Sequence, residues 1–294
     1  MKNLVFFFAL LCSTSLVAQF SFNENGNGGI QSPTNTASGV VSTAMGASTI
    51  ASGVVSTAMG YATIASGYAS TAMGEVTTAS GDYSTAMGQY TTASGNYSTA
   101  SGGATTAEDY LSFVIGVHNK TDETPNPESF SYQNTAFVIG NGGYDSEGNY
   151  VGTSDTFSNA FEVLFDGTTT IAGDLNINSD ARLKANIISL GATLSKLLQI
   201  DGKTYTMKKD ANHKKKIGLL AQDIEKVFPE LVTETNDIKS VNYQGLVPVL
   251  INAMKEQDEV IRRQDAINKQ QEGILKKQQK KIDELEAMVK TLIR

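Results

Sequence analysis

The chain has 294 residues, no tryptophan, five prolines, one cysteine and a formal net charge of −7. That balance gives no general attraction to nucleic acid or to anionic membrane surfaces. Gly, Ala, Ser and Thr crowd the first third, which argues against a single compact domain.

Residues 1–18 read as an export signal. Lys2 supplies a positive n-region, Leu4 to Leu11 an unbroken apolar run, and Ala18 a small residue before a polar chain. The apolar run is too short to span a bilayer as a helix. A lipoprotein signal through Cys12 is opposed by the bulky Leu11 before it. Cleavage near Ala18 removes Cys12, the sole cysteine, and with it any disulfide framework or thiol nucleophile. No later segment reads as a membrane span, so the expected location is outside the cell, secreted or at the cell surface. Residues 19–36 read as a linker.

Residues 37–106 repeat. Glycines fall at 39, 46, 53 and onward to 102, seven apart, with flanks alternating between A-S-G and A-M-G. The full unit therefore has fourteen residues, and fixed-period self-similarity dictates a stacked architecture. Large apolar residues at helical spacing are missing, whereas short Thr-, Val- and Tyr-rich runs punctuated by glycine fit strands and turns. Each coil is expected to hold two short strands with Ala and Met inward and Ser and Thr outward. An interior made largely of Ala buries little, so neighbouring chains are expected to complete the core. The pattern resembles the head of trimeric autotransporter adhesins, a parallel β-roll with fourteen-residue repeats. The resemblance implies a homotrimer and adhesion to a glycan or another cell-surface ligand; a plain spacer is the alternative. Those adhesins end in a membrane barrel, whereas this chain ends in a charged helical pattern.

Residues 107–178 read as a β-rich stem, with F-V-I-G at Phe113 and again at Phe137 between polar loops. Asp145, Glu147 and Asn149 have too few carboxylates at incomplete spacing for a calcium loop, and a plain turn is the expectation.

Residues 179–246 carry the chemistry. The run S-D-A-R-L-K-A-N-I spans Ser179 to Ile187, I-G-L-L-A-Q-D-I-E-K-V-F-P-E-L-V spans Ile217 to Val232, and S-V-N-Y spans Ser240 to Tyr243. This series resembles the C-terminal intramolecular chaperone domain of phage endosialidases and tailspikes, which is also found in myelin regulatory factor. In that family an S-D-x-R-x-K motif holds a Ser–Lys dyad that cuts its own chain. The resemblance implies that Ser179 is the nucleophile and Lys184 its general base, with Asp180 and Arg182 in support, in a self-cleaving serine endopeptidase. A serine hydroxyl needs a base to take its proton, and an ordinary lysine is only about 0.04% neutral at pH 7. Burial or a nearby cation, for which Arg182 is the candidate, has to depress Lys184. Residues five apart do not share a helix face, so the pair requires a turn or contact across a trimer. The alternative is that Ser179 and Asp180 merely cap a helical turn. Asn242 stands where an Asp is expected in the family. His213 lies in a basic stretch that reads as a solvated hairpin loop, and with only His118 and His213 in the chain no zinc site is expected. No cofactor is implied.

Residues 247–294 read as a coiled coil. The a positions are Val247, Met254, Ile261, Asn268, Leu275, Ile282 and Val289, and the d positions run from Leu250 through four glutamines to Leu285 and Leu292. Val260, Ile267 and Ile274 at g widen the stripe towards a trimer, and polar seam residues fix register. The fold expected is thus a mainly β N-terminal part (trimeric β-roll and stem), then a small α+β chaperone domain ending in a long trimeric helix. The function expected is a trimeric fibre that assembles through this domain and then cuts at Ser179. The main rival keeps the domain uncut as a permanent trimerisation foot. A phage-derived fibre comes third because of the export signal, and a glycan-cleaving enzyme last because the repeat offers no paired-carboxylate cleft.

Overall fold

A computed structural model of the chain describes residues 21–22, 28–145, 147–208, 210 and 213–293, so the expected export signal lies outside the described residues. The chain forms two units, Met1–Ile177 and Asn178–Arg294.

In the first unit each fourteen-residue repeat makes one coil with two strands. The strands Thr43–Ala47, Thr57–Tyr61, Thr71–Glu75 and Thr85–Gln89 stack in parallel, Thr on Thr, Ala on Ala and Met on Met. Two-residue strands from Thr36–Ala37 to Thr106–Ala107 form a second, six-stranded parallel ladder. Because each rung repeats the last, the backbone polar groups of one coil find partners on the next. The glycine spacing has a steric cause. Gly74 has a φ of +117°, and a Cβ there would lie 2.0 Å from the Gly88 carbonyl oxygen. Only glycine tolerates both the positive φ and the close approach.

The core of this unit is a file of alanines, Ala37 to Ala107 at seven-residue intervals, closed by Val114 and Val138. Two expectations change here. Methionine faces out: strand alternation in T-A-M-G sends Ala inward and leaves Thr and Met half-buried on the outer face. The hydroxyl residues are not all outside, since Ser42, Ser56, Ser70 and Ser84 and Thr49, Thr63, Thr77 and Thr91 form two buried columns. The reason is width. So short a coil encloses room only for methyl- and hydroxyl-sized groups at native packing density, and a methionine does not fit. Ser56 is satisfied inside the turn by donating to the Gly53 carbonyl at 2.7 Å.

The long ladder continues past the T-A-M-G repeats. Phe113–Val117 pairs in parallel with Thr99–Gly103 and then with Thr135–Asn141, so the two F-V-I-G runs lie in register. Asn159–Leu164 and Thr169–Ile171 add antiparallel strands. The second ladder is closed by a side chain: Asn119 accepts from the Thr106 N–H at 2.7 Å and donates to its carbonyl at 3.0 Å, in place of another strand. Beside it, Asp109 accepts from the N–H groups of Asn126 and Thr135 at 2.7 and 2.8 Å. The half-buried Asp122 has its pKa pushed up to about 6, first by burial and then by a hydrogen bond with Asp109. Asp145 is occupied by the N–H groups of Glu147 and Asn149 at 2.9 and 2.8 Å, which makes this stretch a turn.

The second unit joins distant pieces of sequence: helices α1 (Leu194–Leu197), α2 (Ala221–Val227) and α3 (Leu246–Leu292), with hairpins Lys203–Tyr205/Lys216–Gly218 and Val232–Thr235/Ile238–Val241. His213 is exposed in the first hairpin's loop, as expected. Ile224, Phe228, Leu231, Leu246 and Val249 form the core. At 47 residues, α3 is about 70 Å long. It uses two faces. Leu246, Val249 and Ala253 are buried against the domain, whereas Val247, Leu250 and Met254, each one residue further round, remain exposed. From residue 257 every described side chain of the helix is exposed. Among the described residues no helix is long and apolar enough to cross a membrane.

Candidate active site

Ser179 and Lys184 come together through one tight turn. Ala181–Leu183 forms a 3₁₀ turn, and the Lys184 N–H closes it by donating to the Ala181 carbonyl. The backbone of Lys184 is already extended, so its side chain doubles back. Its Nζ lies 2.7 Å from Ser179 Oγ. That is the reach a general base needs. The helix-face objection to residues five apart is therefore met within one chain.

Asp180 is the cap. Its Oδ1 accepts from the Arg182 N–H at 2.8 Å and from Nε at 3.1 Å, and its Oδ2 accepts from Nε at 3.0 Å and from Nη2 at 2.6 Å. Arg182 in turn holds the Asp180 carboxyl below the usual carboxylate range. The capping reading and the dyad reading thus fall on different residues: Asp180 caps, and Ser179 remains with Lys184. The guanidinium is engaged by Asp180, so it is a partnered ion rather than the free cation expected beside the lysine.

The surroundings are open. Ser179, Asp180, Arg182 and Lys184 are all exposed, and so are the apolar Leu183, Ile187 and Ile188, the last by 87%. A run of uncovered aliphatic side chains on either side of a polar pair is an unfinished surface.

The strap formed by residues 179–193 is anchored at its far end. Thr193 is buried, its hydroxyl donates to the Val249 carbonyl at 3.0 Å, and its N–H donates to the Glu256 carboxylate. The Leu194 N–H reaches the same carboxylate at 3.2 Å. These hydrogen bonds, led by that from Thr193, hold the Glu256 carboxyl below its ordinary range. Sequence reasoning missed this latch, because nothing in a heptad marks Glu256 as different from the other charged positions. Asn242 accepts from the Gly245 N–H at 3.1 Å at the head of α3, and Tyr243 Oη accepts from the Leu219 N–H at 3.0 Å. This bond ties the turn that leads into α3, whose N-cap Gly245 carries no side-chain cap, and an amide oxygen accepts there as a carboxylate would.

Comparison with known proteins supports both halves. A family model described as "Chaperone of endosialidase" matches residues 179–233. One described as "YadA head domain repeat (2 copies)" matches 37–63, 51–75, 65–91 and 79–105. The chain is 32% identical over 131 residues to the long tail fiber protein Gp37 of Salmonella phage S16, covering 41% of this chain and 16% of that protein. It is also 32% identical over 116 residues to Gp37 of Enterobacteria phage M1, covering 35% of this chain and 46% of that protein. The chain thus spans less than half the length of these relatives. Its terminal segment is similar to the chaperone of endosialidases, and its repeats are similar to YadA heads.

Proposed function

We propose that this chain is an exported, homotrimeric fibre protein whose terminal domain assembles three copies and then cuts the chain at Ser179. The observation that carries the reading is the 2.7 Å contact between Ser179 Oγ and Lys184 Nζ on a strap whose apolar side chains Leu183, Ile187 and Ile188 stay exposed among the described residues. Assembly would bury those side chains and dry the lysine, and desolvation favours the neutral amine that can act as base. Lys184 then takes the proton from Ser179 Oγ, and the oxygen attacks the carbonyl carbon of Asn178. The C–N bond breaks as the lysine returns the proton to the departing Ser179 amine. Water hydrolyses the resulting ester, leaving a carboxylate on Asn178 and regenerating the hydroxyl.

Two further surfaces support a trimer. The a and d residues Val247, Leu250 and Met254 are left free by the packing of α3 on its domain, as a coiled-coil seam requires. The outer face of the roll presents a ladder of methionines, Met45, Met59, Met73 and Met87, followed beyond Ser101 by Ile115 and Ile139. The likeness to phage long tail fibres supports a fibre, and the export signal read in residues 1–18 supports a location outside a cell or on its surface. The engagement of Arg182 by Asp180 favours the rival reading, an uncut trimerisation foot, if assembly leaves Lys184 wet.

Mass spectrometry of the purified wild type beside Ser179→Ala and Lys184→Ala tests the chemistry. We expect a fragment comprising residues 179–294 from wild type only. An intact wild-type trimer would leave the foot reading standing and remove the peptidase.

A further inference from the structure

The roll carries a second built feature, at the corner where its last coils meet the loop at residues 142–152. A cleft of about 510 Å³ opens there, within the range of small-ligand sites. Its walls are Tyr90 and His118, with Tyr144 and Tyr150 reaching across and Gln89 at the rim.

The floor has a sequence cause. Successive turns stack at this corner, with the Ala104 N–H donating to Gln89 and the His118 N–H to Gly103. Tyr90, Ala104 and His118 are therefore one column, and Tyr90 and His118 stand two coils, about 10 Å, apart. The intervening coil contributes only Gly103 and Ala104, so a slot one coil deep is left between two rings. The outer wall is equally fixed. Tyr144 and Tyr150 form an antiparallel bridge closed by the Asp145 turn, with ring centroids 5.8 Å apart. Tyr150 packs 5.2 Å from His118, and Gly143 lies so close to the imidazole that a Cβ would stand 2.3 Å from Cδ2. His118 is only 8% exposed. Its Nδ1 has no hydrogen-bond partner among the described residues.

The chemistry of the lining selects a ligand class. Apart from His118, no acidic or basic side chain lines the slot among the described residues, so an ionic ligand would be desolvated without a counter-charge. What the slot offers is the flat apolar ring surface of the exposed tyrosines, edged by three phenol hydroxyls and an amide, with the buried His118, packed on Tyr150 and Phe157, backing the wall. Tyrosine combines an apolar body with a polar tip, which matches a molecule with an apolar C–H face rimmed by hydroxyls. The geometry points to a neutral-saccharide site in the slot between Tyr90 and His118. This deepens the fibre reading by giving the roll a ligand, and it does not depend on cleavage. Each site is small and is expected to bind weakly, and repetition over a trimer raises the overall avidity.

The test uses the full chain and saturation-transfer NMR with a panel of glucose, galactose, mannose, N-acetylglucosamine and their β1,4-linked disaccharides. Two variants accompany it. Tyr150→Ala removes a wall, and Ala104→Tyr fills the slot at a column where Tyr90 already sits with a φ of 55°, so the backbone accepts the change. We expect transfer to at least one saccharide in wild type and at least about tenfold weaker binding in both variants. Trimer mass and cleavage should stay at wild-type levels. Absence of transfer from every sugar, or transfer unchanged in the variants, overturns the saccharide site while leaving the fibre reading intact. Loss of the trimer in Ala104→Tyr without sugar binding overturns it too, by making the slot an interface between copies.

Discussion

The roll and the terminal domain solve the same problem in opposite ways. In the roll each coil is the template for the next, so the alanine core and the backbone ladders close within one chain, and half-buried methionines and exposed Val and Tyr side chains are left on the outside. In the terminal domain a compact core around Ile224 holds the pieces together, but the strap bearing Ser179 and the α3 seam are left bare. Repetition makes a structure that completes itself. The assembly role proposed for the terminal domain calls for such an incomplete surface, and the Ser179–Lys184 contact sits on it. Within one chain the paired strands of the roll are only one coil apart, so the advantage of the proposed helper would lie in bringing separate chains together at high local concentration.

The comparison can be broken at its strictest point in the roll. Gly74→Val places a β-branched residue at a φ of +117° with its Cβ 2.0 Å from the Gly88 oxygen. We expect a loss of about 4 kcal/mol or more, read as a lower melting transition for the roll with the terminal-domain transition unchanged. On the other side, Ile224→Ala empties the centre of the terminal core, where Ile224 is fully buried. Denaturant unfolding should show a loss of about 3 kcal/mol in the terminal domain alone.

Acid should separate the two regions more gently. Asp122 titrates near 6, above the carboxylate value of about 4 in an unfolded chain. A raised carboxyl favours the fold most when protonated, so the roll gains stability as pH falls from about 7 through 6 and loses it as pH rises again. Glu256 moves the other way: its carboxyl is held low in the fold, so its contribution is present near neutrality and is lost as pH falls below about 4.5. Melting curves at pH 7, 5 and 4 should therefore show the roll strengthening first and the terminal domain weakening later. Asp122→Asn should abolish the first effect, worth on the order of 1 kcal/mol once solvent screening is allowed for, and Glu256→Gln should abolish the smaller second one.

Much of this was legible in the sequence, for identifiable reasons. The seven-residue glycine period survives because each glycine meets its own copy one coil away, so a steric limit is written directly as spacing. The inward and outward roles were misread because interior width, which excludes Met59 and admits Thr63, is a property of the closed coil and not of any local run. The continuation through Phe113–Val117 was available, since Gly116 keeps the fourteen-residue spacing from Gly102. It was hidden by the larger Phe, Val and Ile side chains, and the loop before Thr135 then broke the count. The Ser179–Lys184 pair was legible through its motif, whereas the latch from Glu256 to Thr193 joins residues 63 apart and left no local trace.

The central claim is that the dyad acts only in the assembled protein. Native mass spectrometry of wild type and of an Ile261→Asp/Leu275→Asp variant, which places charges in the seam of α3, tests it directly. The account predicts cut chains at trimer mass in wild type and uncut monomers in the variant. A monomeric variant that cuts at Ser179 as fast as wild type would contradict it.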